Sequence, residues 1–142
     1  MTAVETAVFV DANIWLYALI DGADLEKSLT ARQLLATQPA PLIISTQVIN
    51  EVCVNLIRKA GTGEDTVRDL ILAFFRRYEV VPTTEALLLE ASELRGRYSL
   101  SYWDSLIVAA ALQGKAGTLF SEDMAKGLVI NERLVIVNPF VR

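Results

Sequence analysis

A single acid interrupts the apolar segment Ala7-Val8-Phe9-Val10-Asp11-Ala12-Asn13-Ile14-Trp15-Leu16-Tyr17. The residues before Asp11 are typical of a buried strand, and the apolar residues after it recur with helix-like spacing. In an open parallel sheet, ligands bind beyond the carboxyl ends of the strands, which is where Asp11 is placed. An acid at this junction can also simply cap the following helix, and the segment alone leaves both roles open.

The composition excludes several kinds of catalytic site. The 142 residues contain no histidine and one cysteine, Cys53. The absence of histidine excludes the Ser-His-Asp arrangement, Cys-His nucleophiles and His-based acid–base catalysis, and the usual structural zinc sites are excluded as well. Carboxylates acting with a hard cation are therefore the most available catalytic chemistry.

Length and hydropathy indicate one domain, residues 1–142, with no segment in a membrane. No apolar run approaches the roughly 20 residues that span a bilayer. Residues 1–5 lack the features of a signal peptide, so we expect a cytoplasmic protein, in agreement with its single cysteine. The net charge of −4 argues weakly against a nucleic-acid partner, but a bound cation would reverse the field around clustered acids.

Short apolar strands alternate with helices along the chain. Strands are predicted at 7–10, 42–44, 78–81, 118–120 and 134–137. Beyond the short helix after the first strand, helices are predicted at about 25–35, 47–60, 64–77 and 84–97, and in a last one that includes 104–112. This alternation predicts a three-layer α/β/α sandwich around a central parallel sheet of five strands, with right-handed crossovers.

Two helices of this pattern carry candidate acids. Glu51 lies at the edge of an apolar face, where a carboxylate is usually solvated, but its helix starts on the same side as Asp11. Asp104 precedes an entirely apolar run at 106–112, so its helix should be surrounded by protein. The spacing of Ser101 and Asp104 fits a capping box. A carboxylate beside a buried helix is nevertheless costly unless partners or a metal compensate it, which favours a functional Asp104.

Asp123 completes a set of four acids, with Asp11, Glu51 and Asp104, that are predicted to converge on one edge of the sheet. Clustered like charges raise one another's pKa, so such a site needs a cation. Mg²⁺ and Mn²⁺ prefer oxygen ligands and can activate water against a phosphodiester. The residues therefore predict metal-dependent phosphodiester hydrolysis, and Glu122 leaves open which acid of that turn takes part.

Four motifs, in this order over nearly the whole chain, resemble the PIN-domain family and most closely its VapC-type toxins. They are Val8-Phe9-Val10-Asp11-Ala12-Asn13, Ser45-Thr46-Gln47-Val48-Ile49-Asn50-Glu51-Val52, Ser101-Tyr102-Trp103-Asp104-Ser105-Leu106-Ile107 and Leu119-Phe120-Ser121-Glu122-Asp123-Met124, together with Gly127 and Asn138-Pro139-Phe140. The resemblance implies a Mg²⁺- or Mn²⁺-dependent endoribonuclease acting on RNA. It also implies a homodimer, inhibited by an antitoxin partner that occupies the active-site groove.

The resemblance assigns roles to individual residues. It implies that Asp11 and Asp104 are the principal metal ligands, and that Glu51 and Asp123 complete the site. Asn13 and Ser121 match the family's supporting polar positions. We add Arg58, on the same helical stripe as Glu51, as a candidate for RNA phosphate contact.

Two other readings remain open. A haloacid-dehalogenase-like phosphatase also places acids after its first strand, but Asn13 stands where that class has its acid/base aspartate. The second alternative is a PIN-like module that binds RNA or protein without cutting, and the presence of all four acids argues against it.

Overall fold

The computed structural model describes residues 6–22, 24–124 and 127–141. The prediction for residues 1–5 therefore falls outside the described part of the chain. The elements in chain order are β1 (Ala7–Val10), α1 (Ala12–Leu19), α2 (Leu25–Thr37), β2 (Leu42–Ser45), α3 (Thr46–Ala60), α4 (Glu64–Arg77), β3 (Glu79–Val81), α5 (Glu85–Tyr98), α6 (Tyr102–Gln113), β4 (Ala116–Phe120), β5 (Val129–Ile130) and β6 (Leu134–Val137). No helix within these ranges is long and apolar enough to cross a membrane.

The strands form one sheet in the order β3-β2-β1-β4-β6-β5. Neighbouring strands are parallel except β5 and β6. The helices form two groups, because α1 packs on α2 and α3, and α3 on α4, whereas α5 packs on α6. Right-handed crossovers place these groups on opposite faces of the sheet. The predicted three-layer α/β architecture is therefore confirmed.

The predicted count of five strands was wrong. The additional strand, β5, has only two residues and pairs antiparallel with β6 at the sheet edge. Two residues are too few to show the alternation that identifies a strand in a sequence. The strand predicted at 118–120 was also too short, because β4 already begins at Ala116, and α6 extends to Gln113. Ala116 and Gly117 have little intrinsic strand preference, so tertiary pairing with β1 sets this boundary.

The strand order places a ligand-binding crevice between β1 and β4. The chain moves from β1 outward to β3, and then returns to continue on the other side of β1 with β4. Val10 pairs with Phe120, so both strands end at the same level of the sheet. Asp11 and Ser121 follow these two ends, at a topological switch point where open α/β sheets bind their ligands.

Helix α6 packs against the sheet close to this edge. All of its residues from Ser105 to Leu112 are buried, as the sequence predicted for a helix without a polar face. It packs against α5 and the strands β2 and β4. The N-terminal end of the helix, which contains Asp104, reaches the switch point, so this carboxylate is held on a rigid element.

Candidate active site

Asp11 is the most buried of the candidate acids, with 8% of its surface exposed. Its Oδ1 accepts a hydrogen bond from the Ala12 N–H (2.8 Å), and its Oδ2 accepts one from the Ser121 hydroxyl (2.8 Å). Burial raises the pKa of Asp11 to about 6; the two hydrogen bonds oppose this rise, and the charges of Glu51 and Asp104 add to it. Asp11 does cap α1, as the simpler interpretation required, but a cap alone explains neither the burial nor the bond from Ser121.

Asn13 joins α1 to the turn after β4. Its side-chain Nδ2 donates to Asp123 Oδ2 (3.1 Å), and its Oδ1 accepts a longer hydrogen bond from the Glu122 N–H (3.4 Å). Both the amino group and the carbonyl oxygen of the Asn13 side-chain amide are thus used to hold the turn. The neighbouring Ser121 is fully buried, and its N–H donates to the Val137 carbonyl of β6 (3.0 Å).

Glu122 and Asp123 are adjacent in sequence but face different surroundings. Glu122 forms a salt bridge with Lys27 of α2 and accepts a hydrogen bond from the Tyr17 hydroxyl (2.8 Å). It lines a neighbouring cavity of about 320 Å³ and not the one that contains Asp11. Asp123 lines both cavities. This geometry favours Asp123 over Glu122 as the fourth acid of the site.

Glu51 and Asp104 are half-buried and stand on α3 and α6. Gln47, one turn earlier on α3, donates its side-chain amide to Glu51 Oε1 (3.1 Å). Ser101 accepts a hydrogen bond from the Asp104 N–H (3.2 Å), which forms one half of the predicted capping box. Among the described residues, the carboxylate of Asp104 itself accepts no hydrogen bond, so its oxygens remain available to a ligand.

The four acids line one open cavity of about 260 Å³ beyond the carboxyl ends of β1 and β4. Its wall is formed by polar and apolar side chains of α1, α3, α6 and the turn after β4: Asp11, Ala12, Asn13, Leu16, Gln47, Glu51, Asn55, Lys59, Trp103, Asp104, Ile107 and Asp123. Ser121 acts on this wall through Asp11. Within the described ranges, no three acidic or cysteine side chains lie close enough together to hold one metal ion.

Arg58 is exposed and does not line the cavity, whereas its neighbour Lys59 does. The lining residues of α3 are Gln47, Glu51, Asn55 and Lys59, each four positions after the last. Arg58 was predicted because Glu51, Asn55 and Arg58 lie at i, i+4 and i+7 along the edge of the apolar face. The helix instead crosses the cavity along a row of residues spaced by four, which is inclined to the helix axis. The phase of the apolar face about the helix axis was therefore not enough to predict Gln47 and Lys59 as lining residues.

The profile of the PIN domain matches residues 8–125, which include all four acids. The chain belongs to the PIN-domain family. No curated protein sequence matches it at a significant level.

Solved structures with a similar fold include a toxin and two toxin–antitoxin proteins. The Mycobacterium tuberculosis VapC20, a toxin that cleaves the sarcin–ricin loop, is 22% identical with a TM-score of 0.65, over 82% of this chain and 91% of that one. A toxin–antitoxin complex from Klebsiella pneumoniae is 20% identical with a TM-score of 0.69, over 94% and 98%. VapBC2 from Rickettsia felis, bound to promoter DNA, is 18% identical with a TM-score of 0.57, over 93% and 99%.

The donor set of this PIN domain fits a hard divalent cation. The cavity offers carboxylate and amide oxygens, and the chain has no histidine to provide a nitrogen ligand.

Proposed function

We propose that this PIN domain is a Mg²⁺- or Mn²⁺-dependent endoribonuclease that hydrolyses RNA phosphodiester bonds. The observation that carries the proposal is the shared cavity of Asp11, Glu51, Asp104 and Asp123 at the topological switch point. In the described part of the chain none of these four acids forms a salt bridge. Four carboxylates share this cavity with one basic residue, Lys59, and this excess of acids favours a bound cation over a purely structural role.

Asp11 and Asp104 are the proposed principal ligands, with Glu51 and Asp123 completing the site directly or through water. A divalent ion bound there would polarise a phosphoryl oxygen and lower the pKa of a bound water. The surrounding side chains orient the acids: Ser121 and the Ala12 N–H hold Asp11, Gln47 holds Glu51, and Asn13 holds Asp123. Outer partners of this kind commonly fix ligand orientation in metal sites. Lys59 lines the cavity and Arg58 does not, which supports Lys59 as the basic residue that contacts an RNA phosphate there.

We further propose that the protein is the toxin of a toxin–antitoxin pair. Two of the similar structures are toxin–antitoxin assemblies, and a third is a toxin. The proposed partners are an RNA substrate, a cognate antitoxin and a second copy of the chain, acting in the cytoplasm. Co-expression with the adjacent upstream reading frame should yield a stable complex if that frame encodes the antitoxin.

The phosphatase alternative loses support from the position of Asn13. Its amide bridges Asp123 and the Glu122 backbone, so it acts as a structural link and offers no acid/base group. Detection of a phospho-aspartate at Asp11 would restore that alternative.

A cleavage assay on structured RNA with Mg²⁺ or Mn²⁺ tests the proposal. Asp11→Asn and Asp104→Asn should each lower the rate by at least about a hundredfold, because metal-ion stabilisation is worth several kcal/mol and each 1.36 kcal/mol is tenfold. Circular dichroism should show that both variants stay folded. Asp69→Asn makes the same chemical change at an exposed site on α4 and should cut like the wild type.

Equal cutting by the wild type and both cavity variants would defeat the mechanism. RNA binding by a wild type that never cuts would instead support the non-catalytic module.

A further inference from the structure

Trp103 is an exposed aromatic side chain at the wall of the acidic cavity. Its exposed fraction is 65%, the largest of any aromatic residue in the described ranges, and it lines the same cavity as Asp11, Glu51 and Asp104. A large apolar ring left in water beside a polar cavity is a feature of binding sites.

The ring of Tyr102, which contacts Trp103, is held in place by Arg95. Tyr102 meets Trp103 edge to face, with ring centroids 5.3 Å apart and planes at 77°. The guanidinium of Arg95, on α5, lies 4.4 Å from the centre of the Tyr102 ring. Arg95 in turn donates a hydrogen bond to the buried Ser105 hydroxyl (2.8 Å). Tyr102 therefore has a fixed orientation, and its contact restricts the indole of Trp103.

The backbone of Trp103 is also connected to the candidate catalytic acids. Trp103 immediately precedes Asp104 in the first turn of α6. Its carbonyl accepts a weak hydrogen bond (3.5 Å) from Gln47, whose amide also donates to Glu51. The backbone of Trp103 is thus held close to two of the four carboxylates.

We propose that Trp103 stacks on an unpaired base of the RNA, next to the phosphodiester that the cavity holds. This inference rests on the proposed nuclease function and names its substrate class as single-stranded RNA, including loops. Bases inside a duplex have no free face, whereas splayed bases commonly stack on aromatic side chains. Because Trp103 shares its cavity with the acids, a base covering it belongs to a nucleotide near the scissile bond.

Binding of a labelled, unstructured oligoribonucleotide tests this directly. Fluorescence polarisation is measured with Ca²⁺ in place of Mg²⁺, because Ca²⁺ prefers the same oxygen ligands, and a gel verifies that the RNA stays intact. Trp103→Ala should weaken binding about five- to 150-fold, the value of one base–aromatic stack. Trp103→Phe keeps a stacking ring and should retain most of the affinity. Leu89→Ala, at an equally exposed apolar residue outside the cavity, should bind like the wild type.

Tryptophan emission gives a second, independent measurement. The only other tryptophan, Trp15, is buried, and its indole N–H donates to the Val10 carbonyl. Quenching by RNA should therefore come from Trp103 and disappear in Trp103→Phe. A set of oligoribonucleotides, each with one abasic nucleotide, should lose quenching and affinity when the missing base is the one that stacks.

Several outcomes would overturn the inference. The inference is wrong if Trp103→Ala binds RNA as tightly as the wild type. It is also wrong if every abasic oligoribonucleotide still quenches the tryptophan emission. A changed sedimentation coefficient of Trp103→Ala with unchanged RNA affinity would show that the residue contacts a protein. If the wild type cuts RNA in Mg²⁺ in these cases, only the stacking is wrong; a wild type that neither binds nor cuts RNA would defeat the nuclease function too.

Discussion

Glu122 and the four acids of the cavity lie at the same sheet edge, but their surroundings are opposite in character. Glu122 is paired with Lys27 and Tyr17, and the Lys27 ammonium lies 5.3 Å and 5.6 Å from the ring centres of Tyr17 and Phe140. Asp11, Glu51, Asp104 and Asp123 are held only by neutral donors or, at Asp104, by none in the described part of the chain.

The difference separates an acid that is paired within the chain from acids that have no salt-bridge partner in the described part of the chain. Where Glu122 helps to dock α1 and α2 on the turn after β4, the fold supplies a counter-charge from within the chain. Around the cavity it supplies hydrogen-bond donors that orient the carboxylates but do not neutralise them. A divalent cation is the partner that we propose for the acids of the cavity, and each of the following experiments alters one side of the comparison.

The largest expected effect is a pH-dependent change in stability at Asp11. Burial raises the pKa of Asp11 in the folded protein to about 6, above the ordinary aspartate value of 3.8. The folded state therefore binds more protons between these values, and its stability falls as the pH rises from about 4 through 6. Asp11→Asn removes this loss, so in metal-free buffer it should gain about 3 kcal/mol over the wild type between pH 4 and pH 8.

Urea unfolding at a series of pH values measures this gain. Asp69→Asn, on the exposed surface of α4, should follow the wild-type profile throughout. Parallel profiles for wild type and Asp11→Asn would mean that burial does not perturb Asp11, and the contrast with Glu122 would be lost.

Strand ends were the part of the site that the sequence could predict. Asp11, Ser121 and Asp123 follow apolar strands, and the rule that parallel strands end at one edge was enough to place them together. The partners of Glu122 could not be predicted from the sequence in this way. Lys27 is 95 positions away and lies near the start of α2, where a basic residue looks like any solvated charge.

The face of α3 shows a second limit. Hydropathy gives the phase of a helix about its own axis, and it correctly placed Glu51 beside the core. It does not give the angle at which the helix crosses its neighbours, so the choice between Arg58 and Lys59 depended on packing. The same reasoning applies to Trp103, whose apolar character predicted neither exposure nor a place in the cavity.

A smaller effect is expected from magnesium on the stability of the wild type. Binding to the folded state should stabilise it by about 2.7 kcal/mol when Mg²⁺ is at 100 times its dissociation constant. Asp104→Asn should lose this gain, while its metal-free stability stays equal or rises because one repelling charge is removed. Glu122→Gln, whose side chain lies outside the cavity, should keep the magnesium response.

Urea titrations with and without Mg²⁺ provide both numbers for each variant. A metal-free Asp104→Asn protein that is strongly destabilised would show that the acid serves mainly to start α6. In that case Asp104 would belong with Glu122 among the structural acids.

The smallest effect separates the two adjacent acids themselves. Asp123→Asn keeps an oxygen that can accept the hydrogen bond from Asn13 but removes the charge, and it should lower the cleavage rate about 10- to 100-fold, as loss of a supporting metal-site group does. Glu122→Gln should cut within severalfold of the wild type and instead lower the melting temperature, because it breaks the salt bridge to Lys27. Steady-state cleavage and thermal unfolding on the same preparations compare the two. The reverse pattern, with Glu122→Gln the slower enzyme, would mean that the turn after β4 rotates on binding metal and exchanges the roles of its two acids.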